Sequence, residues 1–304
     1  MPTSHQESSA KAILYAFLAN LGIAISKSFA AVYTASGSML AEAIHSYADS
    51  GNQVLLYLGL KQSMKPADKE HPLGYGKVTY FWSFVVAILL FSMGGLFSIY
   101  EGWHKLHAPE ELNKAWVALL VLGVAIILET FSLLGCLREI RHVRGDQELR
   151  YWLKHTRNAE LVVVLGEDTA AILGLVLAFG FVSATAITGN PAFDAVGSIC
   201  IGVILIAISF LIGLRIKTLI VGRSAEPELE KLIDEIITAD EYIEARLNTI
   251  TMQFGPFVML ALKIRMRPEL TVEVAAQHIN ALERRIKEQA PVIQWCFIEP
   301  DIED

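Results

Sequence analysis

Long apolar stretches alternate with short polar ones over the first two thirds of the chain, and the period changes afterwards. Six apolar segments can be drawn, over residues 9–33, 38–62, 78–103, 116–140, 159–182 and 193–219. Each is near the roughly 20 residues that cross a bilayer as a helix. The first two are separated by only a few residues around Ala35-Ser36-Gly37, which forces an antiparallel hairpin. Aromatic residues flank the third (Tyr80, Phe81 and Trp82; Tyr100 and Trp103), as expected of interfacial anchors. Beyond Gly222, Leu229, Leu232, Ile233 and Ile236 recur at a helical period opened by Pro227. Strand-like runs follow at 247–254 and 257–266, split by Gly255-Pro256, then an amphipathic helix over 272–288 with Val274, Ile279, Leu282 and Ile286 on one side, and a last strand over 293–298. The expected order is α-β-β-α-β, a small α+β sandwich of one sheet covered by two helices. The reading divides the chain into a membrane domain, 1–221, and a soluble domain, 222–304.

Composition agrees with a chain made for lipid: 53% hydrophobic residues and a mean hydropathy of +0.44. Net charge is −7 with no dense basic run, which argues against nucleic acid as a partner. The three cysteines, Cys136, Cys200 and Cys296, are scattered, so neither a disulfide framework nor a thiolate metal site is indicated. The first residues lack a basic region and a small-residue cleavage site and read as a short soluble lead. Basic residues cluster between the second and third spans (Lys65, Lys69, Lys77), between the fourth and fifth (Arg138, Arg141, Arg144, Arg150, Lys154, Arg157) and after the sixth (Arg215, Lys217, Arg223). Both termini are therefore expected to be cytoplasmic.

Two spans carry groups that lipid does not tolerate. Glu42, His45, Asp49 and Asn52 are three or four residues apart, so on a helix they form one stripe. Ionisable groups at that depth cost a few kcal/mol and usually face a cavity, a partner or a substrate. Glu42 and Asn52, closer to the ends of the span, read as solvated or packing residues. The fifth span repeats the anomaly with Glu167 and Asp168, which point about 100° apart around the helix. An imidazole with two or three carboxylates suits a divalent transition ion such as Zn2+ better than Mg2+ or Ca2+. Such ligands also bind protons, so loading a metal releases them. Glu129 in the fourth span is a candidate relay, and Asp194 at the start of the sixth a helix-dipole partner or part of an exit path.

The HSYAD motif at His45 to Asp49, the connection DKEHPLGYGK from Asp68 to Lys77, the EDTAA run of the fifth span and the α-β-β-α-β tail occur together and in this order. In this the chain resembles the cation diffusion facilitator family of metal–proton antiporters over nearly its whole length. The wording AEAIHSYADSGNQ and GEDTAAILG is most similar to the branch that contains animal zinc transporter nine. The resemblance implies six transmembrane helices, a cytoplasmic ferredoxin-like tail and a homodimer in a bacterial inner membrane. It implies export of cytoplasmic Zn2+, with Fe2+, Mn2+ and Cd2+ as further candidates, in exchange for protons. The ion is cargo rather than a prosthetic group. The implied site pairs His45 and Asp49 with Asp168, while the position of the family's second histidine is Val164, leaving Glu167, a water or another span to complete the shell. A peripheral metal site would use Asp68 and His71, with Tyr75 where the family has a third ligand. The tail has only His278 and scattered carboxylates (Glu299, Asp301, Glu303, Asp304), so a tail metal cluster is not expected. Two other readings compete. An intramembrane metal hydrolase would need a catalytic motif, and no HExxH or GxSxG occurs; a non-transporting metal sensor would need a tight site in the tail.

Overall fold

The computed structural model describes residues 20–108 and 114–303. The expected lead, the start of the first span and Asp304 lie outside them. Residues 20–34 are helical (α1), followed by α2 (Gly37–Ser63), α3 (Val78–His107), α4 (Ala115–Arg144), the short α5 (Leu149–His155), α6 (Ala159–Thr188) and α7 (Ala192–Val221). The tail comprises α8 (Pro227–Thr238), β1 (Ile243–Phe254), β2 (Phe257–Met266), α9 (Val272–Gln289) and β3 (Ile293–Pro300).

Among the described residues, four helices, α3, α4, α6 and α7, are long and apolar enough to cross a membrane. Helix α2 has the length, but its stripe of Glu42, His45, Asp49 and Asn52 makes it less apolar. Large apolar side chains stand exposed on the long helices, among them Leu120, Ile127, Phe131, Phe210 and Leu211. In water that would be an aggregation surface; in a bilayer it is the lipid-facing one. Within the bundle α3 and α7 approach closely because Gly95 and Gly102 lie against the backbone at Gly202 and Ala195, the small-residue packing usual between membrane helices. In the middle of α3, Leu90–Leu96 widen into a π-helical turn. Such turns break the regular ladder and often mark functional positions.

The chain forms two compact units that interleave in sequence. One takes the chain up to Leu58, then Trp82–Gly145 and Glu160–Arg215; the other takes Gly59–Phe81, Asp146–Ala159 and everything from Ile216. The second thus includes connections as well as the tail, whereas the sequence reading divided the chain at 221/222. The reason is local bonding. The Tyr80 hydroxyl accepts from the Gly255 amide at 2.9 Å, and the buried Arg157 side chain donates to the Ser224 and Ala225 carbonyls at 2.6 and 2.8 Å. Gly255 has φ +60°, and a Cβ there would collide with the backbone of Gly76, so glycine is needed twice over.

In the tail, β2 pairs antiparallel with β1 and parallel with β3, in the order β1-β2-β3. Alternate residues of β2 (Val258, Leu260, Leu262, Ile264) are buried against Ile233, Ile236 and Ile237 of α8 and Leu282 and Ile286 of α9. That is the period of two expected of a strand with one covered face. Strand β1 starts at Ile243, four residues before the strand expected at 247. On α9, Val274 is exposed, so the apolar side of that helix is used only from its middle onward.

Candidate metal site in the helical bundle

Helix α2 is held at its start by a residue from α7. Asp194 accepts from the Ser36 hydroxyl at 2.8 Å, the Gly37 amide at 2.6 Å and the Ser38 amide at 3.2 Å. It thereby satisfies amides that a helix N-terminus leaves without intrahelical partners. Of its two expected roles, helix-terminus partner is the one seen: Asp194 stands in the first turn of its own helix, and its carboxylate also caps the start of α2.

Two to three turns further along α2 lie His45 and Asp49, the imidazole Nε2 3.5 Å from a carboxylate oxygen of Asp49. His45 is fully buried and neither ring nitrogen has a hydrogen-bond partner. Asp49 lines a cavity of about 60 Å3 together with Glu129 and Ser132 of α4 and Val164, Glu167 and Asp168 of α6; Ser46 closes it on the α2 side. That volume admits an ion with a few waters, since one water needs roughly 10–15 Å3 on this measure. Glu167 and Asp168 diverge as their spacing requires. Glu167 turns to α2 and accepts from the Asn52 amide at 2.6 Å, while Asp168 turns to α4 and accepts from the Ser132 hydroxyl at 3.3 Å. One oxygen each of Asp49 and Asp168, and the Asn52 side-chain oxygen, have no hydrogen-bond partner. Buried polar atoms left so are expensive unless they have another use, and a cation is a fitting one for oxygen acceptors.

The structure thus brings Asp49, Glu167 and Asp168 to one cavity. His45 stands beside it without lining it. Among the described residues no three His, Cys, Asp or Glu side chains are close enough to hold one ion between them. Asn52, expected as a solvated or packing residue, is buried and positions Glu167; Glu42 is likewise buried. Two residues were undervalued by sequence reasoning. Glu129 lines the same cavity, and Lys27 of α1, fully buried, bonds Glu42 at 3.2 Å and Ser46 at 2.7 Å. A lysine in the middle of an apolar segment was a readable signal; counting basic residues only in the connections passed over it.

The connection between α2 and α3 is a separate cluster. Asp68 accepts from the amides of Glu70 (2.9 Å) and His71 (2.7 Å) through one oxygen and from the Tyr75 hydroxyl (2.6 Å) through the other. The Tyr75 hydroxyl is the main reason the Asp68 carboxyl is held below its usual range, with the His71 amide next. His71 Nδ1 is 3.6 Å from Asp68, and its ring lies against that of Tyr75 with centroids 4.2 Å apart. Tyr75 therefore occupies, with a donor, the oxygen that a third ligand would leave open for metal. In the tail, His278 stacks on Tyr242 with centroids 3.5 Å apart.

Long apolar helices that enclose a carboxylate-lined cavity, in a chain that also forms a small α+β unit, are the form of an integral membrane transport protein. Residues 13–214 match the model of the cation efflux transmembrane domain, and the chain belongs to that family. This bears out the resemblance read from HSYAD, DKEHPLGYGK and EDTAA. Among relatives, it is 37% identical over 222 residues to the proton-coupled zinc antiporter SLC30A9, mitochondrial, of Xenopus laevis, covering 72% of this chain and 40% of the relative. The human protein of that name is 35% identical over 223 residues, with 72% and 39% covered. Metal tolerance protein C4 of Arabidopsis thaliana is 27% identical over 255 residues, with 83% and 56% covered. The chain spans about two fifths of the length of the SLC30A9 relatives it matches.

Proposed function

We propose that the protein is a divalent transition-metal/proton antiporter that exports Zn2+ from the cytoplasm. In this reading α1 and α2 join α3, α4, α6 and α7 as six spans, both termini are cytoplasmic, and residues 222–304 form the cytoplasmic domain of a homodimer in a bacterial inner membrane. Support for zinc and for protons comes from relatives that are named proton-coupled zinc antiporters. Fe2+, Mn2+ and Cd2+ are secondary candidates, because a shell rich in carboxylate is less selective than one rich in nitrogen.

The observation that carries the proposal is the shared cavity of Asp49, Glu167 and Asp168, with unpartnered oxygens on Asp49 and Asp168 and an unpartnered imidazole one turn away. The ion would be bound by Asp49 and Asp168, with His45 turning in to supply nitrogen and Glu167 completing the shell, where the family's second histidine is replaced by Val164. Carboxylates and imidazole bind either metal or protons, so each arriving ion displaces protons and each protonation displaces the ion. Binding at the midpoint of the bundle, alternately open to one side and the other, couples the two flows. The peripheral pair Asp68 and His71 is a weaker candidate, since Tyr75 engages the second oxygen of Asp68.

The test is Zn2+-driven proton movement in proteoliposomes containing wild-type protein or Asp49→Ala. Wild type should exchange Zn2+ for protons and the variant should not; equal exchange by both would refute the site.

A further inference from the structure

Among the described residues of the helical bundle, a buried charged cluster outside the cavity is left without a role. On α1, Lys27 is fully buried, and an ammonium among apolar helices is costly unless it is paired. Its Nζ donates to the Ser46 hydroxyl at 2.7 Å and to one carboxylate oxygen of Glu42 at 3.2 Å. The other oxygen of Glu42 is buried with no partner. It faces Gly174 of α6, where a Cβ would collide with it. The Glu42 carboxylate therefore fills the space from α1 to α6, and α2 carries it. Ser46 belongs to both arrangements, because it also lines the cavity of Asp49 and Asp168. The ion pair thus abuts that cavity on the side of the 35–36 hairpin, with Glu42 about 10 Å along α2 from Asp49 at 1.5 Å per residue.

Resting on the transport reading above, we propose that Glu42 is a second station for the divalent cation, and that Lys27 is a tethered cation gating it. With Lys27 on Glu42, an ion at Asp49 meets a positive charge and a filled carboxylate, and the way toward the hairpin is closed. When Lys27 withdraws, Glu42 offers the ion two oxygens beside the Ser46 hydroxyl, a partial oxygen shell that water completes and that holds the ion only in passing. When the ion leaves, the unpaired carboxylate draws the ammonium back. Gly174 is part of the device, since only a residue without a Cβ leaves room for the carboxylate.

The test uses the full chain and Zn2+ as the probe. By equilibrium dialysis of purified protein against radioactive Zn2+, Lys27→Met should bind about one more ion per chain than wild type, because a freed carboxylate is a competent cation ligand, and Lys27→Met/Glu42→Gln should lose that extra ion. Equal binding by wild type and Lys27→Met, or an extra ion that survives in the double variant, would overturn the proposal. Should Lys27→Met fail to fold, the near-isosteric Glu42→Gln decides in proteoliposomes. Its maximal Zn2+ transport rate should fall about tenfold while KM stays within about threefold, the signature of a lost step after binding. The rate is taken per correctly folded molecule, counted by gel filtration, because a damaged fraction would also lower the rate at constant KM; a wild-type rate per folded molecule, or a KM that moves with the rate, would overturn it. Wild-type protein that moves no Zn2+ would instead sink the transport reading, while the dialysis result still decides whether Glu42 takes the ion.

Discussion

Replacing Asp194 by Ala removes the acceptor that fixes the start of α2. Three donors lose their partner: the Ser36 hydroxyl and the amides of Gly37 and Ser38, all in a buried setting. An unsatisfied buried donor costs about 1–3 kcal/mol, and relief from burying the Asp194 charge returns part of that, so the net loss is about 3 kcal/mol. With an unfolding entropy of about 2.1 cal/mol/K per residue over a chain of 304, that loss lowers Tm by about 5 °C. The Ser38 hydroxyl keeps its bond to the Asp194 carbonyl at 3.0 Å, so the helices should stay in contact while the start of α2 loosens. His45 and Asp49 stand on that helix, so Zn2+ transport should drop at least about tenfold, as misplacement by about 1 Å is enough to do. Thermal melts by intrinsic fluorescence in detergent, paired with transport in proteoliposomes, read both effects. Asp194→Asn, which keeps an acceptor oxygen, should fall between. An Ala variant that melts within about 1 °C of wild type and transports normally would refute this account of how α2 is positioned.

Three further outcomes can be checked. Val164→His, at a cavity-lining position, should raise Zn2+ affinity about tenfold and favour Zn2+ over Mn2+ in competition binding, because imidazole suits zinc better; unchanged selectivity would place the ion elsewhere. Leu260→Ala in the centre of β2 should destabilise the tail by about 2–5 kcal/mol, measured as loss of amide protection across 243–300. Asp301 is held below its usual carboxylate range mainly by Lys263, whose Nζ is 2.8 Å away, and then by the Ile302 and Glu303 amides. A depressed folded value means its contribution is present above the unfolded value near 4 and is lost as pH falls through the folded one. The protection of the Ile302 amide, corrected for the intrinsic pH dependence of exchange, should therefore stay constant from pH 5 to 8 and fall only below about pH 4; a change centred near pH 6 would contradict the assignment.

Much of this was legible in the sequence because its signals are local. The tail's α-β-β-α-β order follows from period, Pro227 and Gly255-Pro256, and β2 begins and ends where the alternation does. The stripe on α2 and the acidic pair on α6 stood out because lipid makes ionisable residues expensive. What escaped notice depends on which helix faces which. Nothing in the spacing tells that Asp194 caps a helix more than 150 positions earlier, that Asn52 reaches Glu167, or that Glu129 shares a cavity with Asp49. Lys27 itself stands out in an apolar segment, but its pairing with Glu42 on another helix does not. The interleaving of connections with the tail was equally hidden, since it rests on single contacts such as Tyr80 with Gly255 and Arg157 with Ser224.

The most direct trial of the central claim is anomalous scattering at the zinc edge from crystals of the protein grown with Zn2+. One strong peak should fall in the bundle, within about 2.0–2.2 Å of carboxylate oxygens of both Asp49 and Asp168. Zinc found only at the Asp68–His71 connection or on the tail, with none between α2 and α6, would contradict it.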